Sequence, residues 1–270
     1  MNHQRLAWLH GFTGSPRAIE PVLTELLRLG YPPLEVYAPA IVGHDPRDEV
    51  GPKPFVSLPQ RRKPPLSQLP FEAEVDRLAA WLLERGWQRG TVCGYSLGGR
   101  LALGLLSRHP RLVSRLFLLS VNPGLASDGA RKEREISDAR WIELLRREGL
   151  EAFYERWRAQ PLFASQARLG SAVLQWQAQL RASHRPEGLA RCLECCGLAQ
   201  MPNYRALVER ASVPMHWAVG SSDEKFRALA QEMITGSTCS TIEIVDGAGH
   251  NLVLEAPSAV ARMFVRHECD

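Results

Sequence analysis

The sequence predicts an α/β chain: a mostly parallel sheet of about six strands, covered by helices, with a helical cap inserted into it. Three observations carry this. Short apolar runs alternate with helical segments in the first and last parts of the chain, the pattern of a parallel sheet with helices on both faces. From Gly124 to about Arg205 the pattern turns helical and charged, with no strand signal. Finally, Gly94-Tyr95-Ser96-Leu97-Gly98 stands between an apolar strand and a helix, which places a serine at a sharp strand-to-helix turn.

The elements run in order. Leu6 to Leu9 reads as a strand, and a helix runs from Pro16 or Arg17 to Leu29. Leu34 to Tyr37 is a second strand. Asp45 to Pro70 is proline-rich and without periodicity, so it is either a surface loop or a rim over the site. Phe71 to Glu84 has helical spacing, with Leu78, Trp81 and Leu82 on one face. Thr91 to Cys93 is the strand before Ser96, and Leu101 to Ser107 the helix after it. Leu116 to Ser120 is the next strand. After the helical stretch, Val213 to Val219 and Ser240 to Val245 resume the sheet, with helices over Phe226 to Met233 and Pro257 to Arg266. The expected division is a core of residues 1–123 and 206–270, with residues 124–205 as the cap. The few residues before His10 leave no room for two extra leading strands.

At 270 residues and 45% hydrophobic, the chain can fill a large α/β core. No run approaches the ~18 apolar residues of a membrane span. Met1 to Arg5 leads straight into the first strand without an apolar leader, so a cytoplasmic enzyme with no membrane partner is expected. The net charge is +4 and nearly all the basic residues are Arg. They are scattered among acidic residues rather than gathered in a run, which argues against nucleic acid. Arg is, however, the residue suited to bidentate capture of carboxylates. The six cysteines form no disulfide framework. Cys192, Cys195 and Cys196 lack the second Cys or His pair that zinc requires, so they read as buried or half-exposed thiols, and no metal is expected.

Glycines two before and two after Ser96 let the backbone fold back tightly, so the hydroxyl is pushed out and the helix N-terminus behind it offers free N–H groups to developing negative charge. Arg100 lies one turn on, in a helix that is apolar almost all round. Its guanidinium either snorkels to solvent, pairs with an acid, or meets an anionic substrate. Asp223 and His250 each come directly after a strand, at the carboxyl edge where chemistry gathers in such sheets. The order Ser96, Asp223, His250 is that of the α/β-hydrolase fold. Asp223 would orient His250, His250 would take the Ser96 proton, and the backbone N–H groups of Phe12 and Leu97 would face developing negative charge. His10 reads as structural.

Four segments together resemble the 2-succinyl-6-hydroxy-2,4-cyclohexadiene-1-carboxylate synthase family of menaquinone synthesis. These are Leu9-His10-Gly11-Phe12-Thr13-Gly14-Ser15, Gly94 to Arg100, Asp223-Glu224-Lys225-Phe226 and Gly247-Ala248-Gly249-His250-Asn251. In the cap, Glu133-Arg134, Trp157, Gln160 to Phe163, Leu180-Arg181 and Gly188 to Ala190 are similar as well. The resemblance implies a lyase that eliminates pyruvate from an enolpyruvyl precursor without cofactor or metal. It implies a triad of Ser96, Asp223 and His250, and substrate-carboxylate arginines at Arg100, Arg134 and Arg181. Tyr95, Trp157 and Lys225 match further pocket positions. Val253 stands where the family commonly has a histidine.

A carboxylesterase or carbon–carbon hydrolase of the same fold shares the triad and is the alternative reading. The three arginines discriminate, since a neutral ester gains nothing from buried cations. A binding protein that has lost catalysis is a third class, against which an intact triad argues. The expected partner is a small polycarboxylate, and the expected state a monomer or weak homo-oligomer.

Overall fold

The computed structural model describes residues 4–53 and 71–268. Its strands are β1 (Arg5–Leu9), β2 (Glu35–Tyr37), β3 (Gly90–Tyr95), β4 (Val113–Leu119), β5 (Met215–Gly220) and β6 (Ser240–Val245). They form one sheet in the order β2-β1-β3-β4-β5-β6, and every pairing is parallel. The chain leaves β1 toward β2, then returns to the other side of β1 for β3 and continues outward. The order therefore reverses between β1 and β3, and ligands of open α/β sheets bind at the carboxyl ends of such strands.

Side chains alternate across the sheet, as the two-residue period of a strand requires. Leu6, Trp8, Phe117 and Leu119 pack with Val22 and Leu26 of α1 (Glu20–Arg28) and with Val260 and Phe264 of α10 (Pro257–Glu268). Ala7, Leu9, Leu116 and Leu118 share the opposite cluster with Val75 and Leu78 of α2 (Phe71–Glu84), Leu101 and Leu105 of α3 (Leu97–Arg108), and Ala230 and Met233 of α8 (Glu224–Thr235). Both faces are covered, which is why β1 and β4 read as nearly continuous apolar runs.

Between β4 and β5 the chain forms α4 (Asp128–Arg158), a 3-10 stretch over Pro161–Arg168, α5 (Ser171–Arg181), α6 (Pro186–Cys196) and α7 (Arg205–Arg210), and no strand. Ser127 caps α4 by accepting the Ala130 N–H at 3.2 Å. Gly149, at φ +80°, breaks α4 in two. The break brings Phe153 and Trp157 against Trp141, with ring centroids 5.7 and 5.1 Å away, and Leu189 and Leu193 of α6 complete that cluster.

Several boundaries differ from expectation. The helix after Ser96 starts at Leu97 rather than Leu101, because Ser96 itself is its N-terminal cap position. β4 extends back to Val113, where pairing with Gly90 supplies hydrogen bonds that local apolarity does not reveal. α9 (Leu252–Glu255) is absent from the expected elements, because four residues are too few to show a period. In the proline-rich stretch, Asp45 caps a 3-10 turn at Pro46–Asp48, and Val50 bridges to Ala38. Residues 54–70 lie outside the described residues. Among the described residues, no helix is long and apolar enough to cross a membrane.

Candidate active site

Ser96 leaves the end of β3 with φ +50° and ψ −107°, a conformation rare for any residue with a side chain. The neighbouring structure holds it there. The Ser96 N–H donates to the Leu119 carbonyl at 2.9 Å, and its own carbonyl accepts the Arg100 N–H at 3.1 Å. The flanking glycines are required by space as much as by dihedral angle. A Cβ on Gly98 would lie 1.8 Å from the Leu9 carbonyl oxygen, and one on Gly94 would lie 2.5 Å from the Gly98 backbone. α3 thus starts directly against the end of β1.

Asp223 and His250 come after β5 and β6, and the two loops touch: a Cβ on Gly220 would come 2.2 Å from the Gly249 carbonyl oxygen. His250 Nδ1–H donates to Asp223 Oδ2 at 2.7 Å, and the Ser96 hydroxyl donates to His250 Nε2 at 3.2 Å. The carboxylate can only accept, so it fixes the proton on Nδ1 and leaves Nε2 free to act as a base. His250 is 2% exposed and Asp223 6%. The Glu255 carboxylate holds the His250 loop from both sides, accepting Gly249 N–H at 2.7 Å and Asn251 N–H at 3.0 Å. Sequence reasoning missed Glu255, because its helix is a single turn.

The cavity in front of Ser96 is lined by Phe12, Tyr95, Leu97, Arg100, Arg134 and Trp157, together with His250. Arg100 is 8% exposed, and burial together with nearby Arg134 lowers its pKa to about 10. Its NH1 donates to the Cys196 carbonyl at 2.8 Å, and among the described residues it forms no ion pair. Arg134 pairs with Asp138 at 2.8 Å, one helical turn away. Burial raises the pKa of Asp138 against the pull of Arg134 and Arg100. Two guanidiniums thus share one carboxylate beside the cavity. The Trp157 indole N–H is buried there without a partner among the described residues.

The structure brings two of the three expected arginines to Ser96. Arg181 instead lines an adjoining cavity, with Thr13, Gly14 and Asn251, on the far side of Phe12, Tyr95 and Phe163, which border both. It sits at the end of α5 and reaches the loop after β1. Its guanidinium donates to Thr13 Oγ1 at 3.2 Å and lies 5.1 Å from the Tyr154 ring centroid. Lys225 is exposed on the first turn of α8 and does not line the Ser96 cavity. Its neighbour Phe226 turns inward, 4.4 Å from the His250 ring.

Asp138 and Trp141, both unassigned by sequence, stand at i+4 and i+7 from Arg134, and that spacing was the available signal. Cys192 and Cys196 also line the cavity as free buried thiols whose pKa values burial raises. His10 lies behind the site. Its Nε2 accepts the Ile41 N–H at 3.2 Å, so its Nδ1–H donates to the Gly11 carbonyl at 2.9 Å.

The alpha/beta hydrolase family profile matches residues 6–263. The chain is 32% identical over 256 residues to 2-succinyl-6-hydroxy-2,4-cyclohexadiene-1-carboxylate synthase of Enterobacter sp. (strain 638), covering 95% of this chain and 88% of that one. It is 32% identical to the synthase of the same name from Salmonella paratyphi C (strain RKS4594), over 94% of this chain and 90% of that one. The solved structure of MenH from S. aureus superposes with a TM-score of 0.86 at 25% identity, over 100% of this chain and 96% of that one. A malate-bound thermophilic esterase from Thermogutta terrifontis shares the fold, with a TM-score of 0.73 at 23% identity over 97% of this chain and 88% of that one. On these matches the chain belongs to the alpha/beta hydrolase family and, within it, to the 2-succinyl-6-hydroxy-2,4-cyclohexadiene-1-carboxylate synthases.

Proposed function

We propose that this chain is a carbon–oxygen lyase. It eliminates pyruvate from 2-succinyl-5-enolpyruvyl-6-hydroxy-3-cyclohexene-1-carboxylate to give 2-succinyl-6-hydroxy-2,4-cyclohexadiene-1-carboxylate. The substrate has one ring double bond, at C3, and the product has two, at C2 and C4. A proton must therefore leave C2, the ring double bond must shift, and the C5–oxygen bond must break. C2 is next to the succinyl ketone, so the electrons released there pass first onto that carbonyl oxygen as an enolate. They then return through the ring to expel pyruvate as its enolate, which takes up a proton to give pyruvate.

Each requirement has a matching group. His250, held by Asp223, draws the Ser96 proton, and the Ser96 oxygen removes the C2 proton. The backbone N–H groups of Phe12 and Leu97 stabilise the enolate oxygen. Protonated His250 returns a proton to the leaving enolate. Arg100 and Arg134 hold substrate carboxylates, and the unpartnered Trp157 N–H donates to a polar group of the substrate. Residues 124–205 act as the cap that supplies Arg134, Trp157 and Arg181 to a core of residues 1–123 and 206–270. The enzyme works in the cytoplasm on a free small polycarboxylate, as a monomer or weak homo-oligomer.

The observation that carries this reading is two guanidiniums for one carboxylate beside the Ser96 cavity. A site for neutral esters has no use for that excess. The test is pyruvate release from the enolpyruvyl precursor, compared with hydrolysis of a neutral aryl ester. Faster turnover of the neutral ester than of the polycarboxylate would overturn it.

A further inference from the structure

The loop after β1 carries the Phe12 N–H, and residue after residue of it is gripped by the segment between β4 and β5. The Phe12 ring meets Trp157 edge-on at 5.2 Å and Phe153 at 6.1 Å. Thr13 accepts from Arg181 at Oγ1, 3.2 Å, and at its carbonyl, 3.5 Å. The Gly14 carbonyl accepts from His184 Nε2 at 2.9 Å. The Ser15 hydroxyl reaches Asp48 Oδ2 at 3.3 Å, and the Ser183 hydroxyl donates to the same oxygen at 3.1 Å.

Two features show that this grip has a purpose. Thr13 sits at φ +60°, a conformation that a β-branched residue adopts only when its surroundings impose it. Thr13 is also the residue directly after Phe12, so its dihedral angles set the direction of the loop at that point. His184 is in addition held in one tautomer. The Gly14 carbonyl can only accept, so Nε2 carries the proton, Nδ1 must accept, and the Tyr154 hydroxyl donates to it. Burial keeps this imidazole neutral, with its pKa lowered to about 4.

We propose that Thr13 and His184 are positioning residues: with Arg181, they clasp the cap to the loop after β1 and thereby aim the Phe12 N–H at the enolate oxygen. The inference rests on the proposed role of that N–H. Oxyanion alignment matters in the transition state more than in the bound ground state, so loosening the clasp lowers kcat while leaving KM nearly constant.

The test uses the full-length enzyme and four variants. His184→Phe and Thr13→Val keep size but remove the polar contact. His184→Gln and Thr13→Ser retain a donor or acceptor there. Pyruvate release is measured for kcat and KM, with p-nitrophenyl acetate hydrolysis and the melting temperature alongside. His184→Phe and Thr13→Val should lose about 10-fold or more in kcat with KM within about twofold, and the two polar variants should recover most of it. If His184→Phe does not fold, the Thr13 pair decides. Unchanged kcat, a loss confined to KM, or polar variants as impaired as apolar ones at matched melting temperature overturn the clasp. Pyruvate release without this split removes the clasp and leaves the lyase. The split seen only on the ester removes the lyase and leaves the clasp. A wild type inert to both substrates removes both.

Discussion

Arg134 and Asp138 lie one turn apart on α4 and are joined at 2.8 Å, and this pair is the only neutralised cation beside Ser96 among the described residues of the cavity wall. Arg100 shares the same wall without a carboxylate of its own. On the proposed function, Arg100 is the cation left to meet a substrate carboxylate beside Arg134. Losing a charged hydrogen-bonded contact of this kind costs about 1.5–3 kcal/mol. Arg100→Ala should reduce kcat/KM for the polycarboxylate roughly 10- to 150-fold. Hydrolysis of a neutral aryl ester by the same variant should change little. Equal losses on both substrates would mean that Arg100 supports the fold instead.

Ser96→Ala removes the hydroxyl that, in the proposed mechanism, links His250 to the substrate. Turnover should fall by about 100-fold or more with the far-ultraviolet spectrum unchanged. Near-normal turnover would place the base elsewhere.

Gly98→Ala tests the turn rather than the chemistry. Its Cβ would stand 1.8 Å from the Leu9 carbonyl oxygen, so β1 and α3 would have to separate. A loss of about 3 kcal/mol or more is expected in urea unfolding. A change under about 1 kcal/mol would show that the close approach of α3 to β1 is dispensable.

Trp157→Phe keeps the ring and removes the unpartnered N–H. Stability should hold or rise, because a buried donor without a partner is itself costly. Affinity for the substrate should fall by about 2- to 12-fold, the worth of one hydrogen bond. A drop in melting temperature with constant KM would contradict the assignment.

Three buried histidines meet edge-on behind the loop after β1, with His10 and His44 rings 4.6 Å apart and His44 and His184 5.1 Å apart. Burial lowers His10 to about 3 and His184 to about 4, and pushes His44 well below its ordinary value. The unfolded chain takes up these protons near pH ~6.5, whereas the folded one resists. Stability should therefore be complete above about pH 6.5 and fall as the pH drops toward the folded values, by up to about 1.4 kcal/mol per pH unit for each histidine. Urea midpoints across the range from neutral to mildly acidic pH check this, and a flat profile would refute it. His10→Gln should make the decline shallower.

Much of this protein is legible in the chain alone, because the information is local. The apolar runs of β1 and β4, the 3.6-residue spacing of α2 and the small residues around Ser96 are properties of neighbours in sequence. Ser96, Asp223 and His250 are assignable because each comes directly after a strand, and parallel strands deliver the residues beyond their carboxyl ends to one edge. Glu255 escapes because one helical turn leaves no periodic trace. Asp138 escapes because its i+4 relation to Arg134 has meaning only when α4 faces a cavity.

The sequence by itself determined the parallel α/β order, the helical stretch between β4 and β5, and which side chains follow the ends of β3, β5 and β6. The packing of α5 and α6 was decided only in the tertiary structure. Tertiary contacts set Arg100 and Arg134 on one cavity and Arg181 against the loop after β1, while Lys225 stays exposed on α8. The physical reason is that burial and ion pairing depend on which helix faces meet, and those contacts join residues 96 positions apart in one case and 168 in another. Chemistry of that range arises from the way whole elements pack, not from any stretch of chain taken alone.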